Sequence, residues 1–344
     1  MFKVSPVPAV AVTLFATLFA CNGNSDSTHF QLESDAAIPP VHIIRLDKTI
    51  ESFPTLDSLD RTKTIRENYT EILWYGKILG PETDTVLPSN VLAWAGLPAT
   101  ESFMPLVDKI YGNLSDEEAS FAKIVATAKI NNLVLPAENL VTVVWSNPKS
   151  IIIVDSINTA YLALNHYLGS ESPAYSDWAY YRRKLKNREM IPVDIAESLL
   201  AISYPYKNEE ENNTVLSRLL YEGSLAIAKE AMVPDASLAS VLGFTESEME
   251  DIIKNEDFIR KQLIDGKLLY SSDDKVKSNL FEPSPASTMI SSDAPGRAIR
   301  YIGYRIVREY LKTNPETSLS YLLSPDFYNN GVNVLRNSHF VSEY

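Results

Sequence analysis

Cysteine occurs once in 344 residues and histidine four times. A single cysteine, Cys21, forbids a disulfide within the chain. Four histidines scattered at positions 29, 42, 166 and 339 leave little for a zinc site, which needs several ligands at close spacing. Glycine is also scarce, at twelve residues, so there is no long glycine-rich loop to cradle a phosphate. The sequence contains no His-Glu-x-x-His, no Gly-x-Ser-x-Gly, no Walker A loop and no Gly-x-Gly-x-x-Gly. Basic residues are outnumbered, with 31 Lys and Arg against 44 Asp and Glu and a net charge of -13. Such a surface repels the phosphate backbone, which argues against a nucleic-acid binder. What is present is ordinary globular material: 45% hydrophobic, 22% charged and 10% aromatic residues. That composition excludes a disordered chain or a low-complexity array. At about 150 residues per domain the length allows roughly two domains or one large one.

The N-terminus reads as an address. Residues 1–20 carry one basic residue, Lys3, and an apolar stretch from Val7 to Ala20 that is too short for a transmembrane helix. It ends in Leu18-Phe19-Ala20-Cys21, which resembles a bacterial lipobox: a branched residue three places before Cys and a small one just before it. Phe19 departs from the usual small middle residue. Residues 1–20 are therefore expected to be a lipoprotein signal peptide and Cys21 the acylated first residue of the mature chain. Two or three acyl chains suffice for stable anchoring, at about 0.8 kcal/mol per buried methylene. Asn22 follows Cys21 without an acidic run, which leans toward the periplasmic face of the outer membrane. Residues 21–40, polar and closed by Pro39-Pro40, read as a flexible tether.

A single domain is expected over residues 41–344, mostly α with one small β-sheet (α+β). Residues 41–47 read as a strand, 50–80 as helical, 81–100 as an irregular connection and 115–129 as a helix with Ser115 as its cap. The clearest β signal is 140–145 and 150–154, joined by 146–149 as a hairpin or as two strands of a small sheet. Helices are expected near 156–168, 176–187, 192–204, 210–232, 245–254, 256–269, 295–313 and 316–323.

Two glutamates stand out. Glu197 shares a helical face with Leu200, Ala201 and Tyr204, and Glu222 falls in the stripe Val215, Leu219, Glu222, Ala226. Carboxylates on buried faces must be paired or protonated. They are expected to hold a structural ion-pair network, or to serve as an acid/base pair. Near the C-terminus Asp293 can cap a helix that Pro295 opens. Arg297 and Arg300 then oppose the helix dipole. Arg297 reads either as part of a solvated basic face or as a partner for a buried carboxylate or an anionic group. Gly303, inside that helix, costs about 1 kcal/mol against Ala, so close packing is its expected reason.

Several segments in this order resemble the gliding-motility lipoprotein GldB family of Bacteroidota. After the lipobox they are Ile43-Ile44-Arg45-Leu46-Asp47, the run from Tyr167 to Tyr175, Tyr181-Arg182-Arg183, Ile191-Pro192-Val193-Asp194-Ile195-Ala196, Asp293-Ala294-Pro295-Gly296-Arg297 and Tyr301 to Val307. The resemblance covers residues 40–344. It implies a lipid-anchored envelope protein linked to the gliding apparatus, itself coupled to type IX secretion, although many relatives occur in bacteria that do not glide. A more distant similarity is to gluzincin-type zinc peptidases. In that alignment the two ligand histidines would fall on Ala196 and Leu200, which cannot bind zinc, and only Glu197 and Glu222 match. The resemblance then implies a degenerate peptidase-like fold, no cofactor and no metal. The expected function is a non-catalytic outer-membrane lipoprotein on the periplasmic face that works by contact with envelope protein partners, their identity open. The alternative is a peptidase or peptidoglycan hydrolase using Glu197 and Glu222.

Overall fold

The computed structural model describes residues 28–33, 36–80, 83–207 and 212–340. The signal segment and Cys21 lie outside the described residues. The expectation of a mostly α, α+β single domain with one small sheet is met.

The sheet has four strands, β1 (Ile44–Arg45), β2 (Asn139–Val143), β3 (Ile151–Val154) and β4 (Thr159–Ala163), in the order β1-β2-β4-β3. β1, β2 and β4 run parallel, while β3 pairs antiparallel with β4. The second form of the sequence reading therefore holds: β2 and β3 share a sheet, but they are not a hairpin, because β4 lies between them. Residues 159–163 were expected inside a helix over 156–168, and that is corrected. Thr159-Ala160-Tyr161-Leu162-Ala163 is buried throughout. A short apolar run covered on both faces lacks the alternation that marks a strand, so its pattern does not separate strand from helix. What turns the chain is Asn158, in the left-handed region at φ 54°, a conformation that Asn tolerates better than most residues.

Both sheet faces are covered, and the strands alternate between two cores. Val141, Val143, Tyr161 and Ala163 face a smaller core with Leu46, Ile50, Phe53, Ile72 and Tyr75. Leu140, Val144, Ala160 and Leu162 join the larger core of the C-terminal helices. Asp47 is buried beneath the sheet edge, where it accepts from Thr142 Oγ1 at 2.6 Å and from Arg45 Nη2 at 2.7 Å. Phe30, in the segment read as tether, is buried in the larger core, and its carbonyl accepts from Asn131 Nδ2 at 2.7 Å.

The helical half is organised around the Val215–Met232 helix, buried along nearly its whole length. The Ile299–Thr313 helix crosses it at two glycines. A Cβ on Gly223 would sit 2.3 Å from the Gly303 carbonyl oxygen, and one on Gly303 would sit 2.2 Å from the Leu219 carbonyl oxygen. The expectation for Gly303 holds, since backbone meets backbone there and no side chain fits. Other expectations need revising. Residues 81–100 are not irregular throughout, because Pro88 and Pro98 each open a helix, Pro88–Ala95 and Pro98–Ile110. Proline suits the first helical turn, where its missing N–H has no partner to lose. The helix expected over 176–187 shrinks to Tyr180–Arg183. The Asp274–Phe281 and Gly331–Ser338 helices lay outside every expected span. Ser115 is the first residue of its helix rather than the cap, with Leu114 at the N-cap. Asp293 caps nothing, and the last long helix begins at Ile299.

Candidate functional site

Glu197 sits on the Ile191–Ser203 helix, and Glu222 on the Val215–Met232 helix beside it. The first starts at Ile191 because Pro192 falls in its first turn. The second starts at Thr214, whose hydroxyl accepts from Ser217 N while the Ser217 hydroxyl accepts from Thr214 N. Packing these two helices against Ile299–Thr313 brings the glutamates to one place.

Neither carboxylate is bare. Lys229 Nζ, on a side chain only 1% exposed, donates to Glu197 Oε2 at 2.5 Å. Arg300 Nη2 bridges the pair, 3.1 Å from Glu222 Oε2 and 3.6 Å from Glu197 Oε1. Arg218, one turn before Glu222, closes the other side at 2.7 Å from Glu222 Oε1. Arg300 is anchored from behind, Nη1 donating to the Leu242 carbonyl at 3.0 Å. Glu222 is buried, whereas the Glu197 side chain keeps 38% exposure. The two glutamates, on adjacent helices, thus meet in one ion-pair network through Arg300, Glu222 on a buried face and Glu197 on a partly exposed one.

The electrostatics follow from the partners. Burial pushes the Glu197 carboxyl up, but the Lys229 ammonium and then the Arg300 guanidinium outweigh it and hold the group well below the usual carboxylate range. Burial pulls Lys229 below its ordinary value, against the opposing pull of Glu197. Arg300 is penalised by burial, yet Glu222 and Glu197 together raise it. A carboxylate held so low, with Oε2 bonded to Lys229 and Oε1 facing Arg300 at 3.6 Å, is a poor proton acceptor and cannot be a proton donor near neutral pH.

An open hollow of about 390 Å³ adjoins Glu197, lined among others by Lys149, Ser150, Tyr167, Asp194, Glu197 and Ser198. Asp194 lies one turn before Glu197 and accepts from Tyr167 Oη at 2.8 Å. Burial raises the Asp194 carboxyl, with Lys186 and the Tyr167 hydrogen bond opposing. Lys186 Nζ donates to Ser150 Oγ at 2.8 Å, and Ser150 Oγ stands 3.2 Å from His166 Nδ1. Sequence reasoning singled out none of Lys229, Arg218, Arg300 as a partner of these glutamates, nor Asp194. The signal for Lys229 was legible: it follows Glu222 by seven residues, so it falls on the same helical stripe.

Arg297 is brought near but not into the network. It has a left-handed φ of 65° and pairs with neither glutamate. Ala196 and Leu200, where the peptidase resemblance would put zinc ligands, are fully buried in the larger core. Among the described residues, no group of three or more His, Cys, Asp or Glu side chains is placed to hold a metal. Of the histidines, His42 is exposed 3.7 Å from Glu118, and His166 is buried.

The family model for gliding motility protein GldB matches residues 30–340. The chain belongs to the GldB family. That match takes in both cores, the sheet and the charge cluster, and it begins at the buried Phe30. No curated protein and no solved structure matches the chain. Membership ties the chain to gliding motility. Among the described residues no helix is long and apolar enough to cross a membrane.

Proposed function

We propose that this GldB-family chain is a lipid-anchored envelope protein that acts by contact with other proteins of the gliding or type IX secretion machinery and not by catalysis. The observation that carries the reading is the pairing of Glu197 and Glu222 with Lys229, Arg300 and Arg218. A carboxylate pair built for acid/base work needs one member free to take or give a proton at the working pH. Here the cations hold both in place, as in a structural network that locks three helices together. The anchor is Cys21, at the end of Leu18-Phe19-Ala20-Cys21, and the location we infer is the periplasmic face of the outer membrane. The acidic net charge of -13 favours partners with basic patches.

Two experiments test this. Cys21→Ala followed by membrane fractionation tests the anchor: the variant should leave the membrane fraction, and full retention there would sink lipidation at Cys21. Glu197→Gln and Glu222→Gln, assayed on peptide and peptidoglycan substrates, test the absence of catalysis. The wild-type protein should show no turnover for the substitutions to remove. Turnover abolished by either one in a protein that remains folded would establish the hydrolase instead.

A further inference from the structure

The charge count of the cluster does not balance. Glu197 and Glu222 face four cations: Lys229, Arg218, Arg300 and, beside them, Arg297. Counting Glu282 as well, which acts on Arg297 from farther off, four cations stand against three carboxylates. Arg297 carries the excess. Among the described residues it makes no side-chain hydrogen bond and no ion pair within 4 Å. Glu282 also acts on it, but from beyond that distance.

Its placement is nevertheless specific. Arg297 Nη2 lies 3.5 Å, and Arg300 Nη1 3.2 Å, from the point where a Cβ on Gly243 would sit, so the two guanidinium groups share the space that this glycine leaves. Two like charges side by side, one of them on the buried Arg300, repel each other unless something negative joins them. The backbone is fixed to keep them there. Arg297 holds φ 65°, which costs a residue with a Cβ about 1–2 kcal/mol. The preceding Gly296 is pressed so close that a Cβ would fall 2.0 Å from the Ser284 carbonyl oxygen. Strain kept at an unpaired, partly exposed arginine is the pattern of a residue held ready for a ligand.

We propose that Arg297, with Arg300 behind it, is an oxyanion site that takes the carboxylate of a peptide chain, from its C-terminus or an acidic side chain. The guanidinium fork matches a carboxylate in a two-point contact, and the ligand would bring the cluster toward neutrality. This deepens the partner-contact reading, on which it rests for the source of the carboxylate. Binding of the group itself is measured on the purified protein, so it can fail or succeed apart from any cellular assembly.

The test uses the full chain in nonionic detergent at fixed ionic strength, with chloride as the reference ion. N-acetylglycine, N-acetylglycinamide and inorganic phosphate are titrated while the Arg297 Nε–Hε resonance is followed. N-acetylglycine should shift that resonance saturably and the neutral amide should not. Arg297→Gln should weaken N-acetylglycine binding at least tenfold by calorimetry, with Arg297→Lys between. Phosphate binding tenfold tighter than N-acetylglycine would overturn the carboxylate assignment. No saturable shift with either anion in the wild-type protein would overturn the site, whether or not the variants fold.

Discussion

Lys229 is the most exacting feature of the structure, because its ammonium is buried with Glu197 as its one hydrogen-bond partner among the described residues. Glu197→Gln removes the countercharge and leaves the lysine in place. Breaking one side of a buried pair costs about 3–5 kcal/mol. A ceiling follows from the chemistry. The stranded lysine can shed its proton, and doing so at pH 7 from an ordinary value of 10.5 costs about 5 kcal/mol at most. Because burial already lowers Lys229, the true cost lies under that ceiling. Arg300 recovers part of it by turning fully to Glu222, and the Glu197 side chain is 38% exposed, so water screens its share. The expected loss is therefore about 2–4 kcal/mol by urea unfolding at pH 7. Lys229→Met alone should cost less, since it leaves a half-exposed carboxylate that Arg300 still faces. The double variant should be more stable than Glu197→Gln alone by more than 1 kcal/mol. If Glu197→Gln stays within 0.5 kcal/mol of wild type, or the double variant is no better than that single one, the pair is not coupled and the account of the cluster is wrong.

Three further outcomes follow from separate parts of the fold. Gly303→Ala should destabilise by about 2–4 kcal/mol, despite alanine's better helix propensity, because the added Cβ meets the Leu219 carbonyl at 2.2 Å; a rise in melting temperature would refute the close crossing. His166 is buried, and desolvation with the nearby Lys186 pulls it down to about 4. Its folded value lies below the unfolded 6.5, so the unfolded chain takes the proton first and stability falls as pH drops from 6.5 toward 4. At pH 5 the loss from this group is about 2 kcal/mol, and a His166→Gln variant should show a correspondingly flatter stability profile between pH 7 and 5. Asp47→Asn should cost about 3 kcal/mol, since it leaves Arg45 without its buried partner and disturbs the Thr142 hydrogen bond; denaturant unfolding within 0.5 kcal/mol of wild type would contradict that role.

The long helices were legible because each shows an apolar stripe with a stop or start signal, as at Thr214 and Pro192. The α+β class followed from one strong β pair among many helical spans. Strand β4 escaped because both of its faces are covered, which removes the alternation that identifies a strand. The order β1-β2-β4-β3 is a tertiary fact: β2 reaches its neighbour β4 only after the chain has passed through β3. The prolines at 88 and 98 misled for a local reason, since the same residue that breaks a helix also opens one. Phe30 was lost in a polar surrounding that reads as tether, and only the packed core shows that it belongs to the fold.

The candidate site divides the same way. Glu197 and Glu222 could be found because a carboxylate in an apolar stripe is costly unless something answers it. The sequence showed the debt at two positions and, at Lys229 on the same stripe, one of the creditors. Arg300 could be noticed only as a charge opposing a helix dipole, and that apparent mistake is explained by the partners it meets across the helix packing: two carboxylates and the Leu242 carbonyl. Arg297, three residues earlier, meets none of them. Two arginines with the same local signature thus have opposite fates: Arg300 lies in the helix with its guanidinium on the glutamates, while Arg297 precedes it at a left-handed φ of 65° and pairs with neither. A helical backbone there would change where that side chain reaches. The structural role of the cluster therefore accounts for Lys229, Arg218 and Arg300, and leaves Arg297 as the residue whose position it does not require.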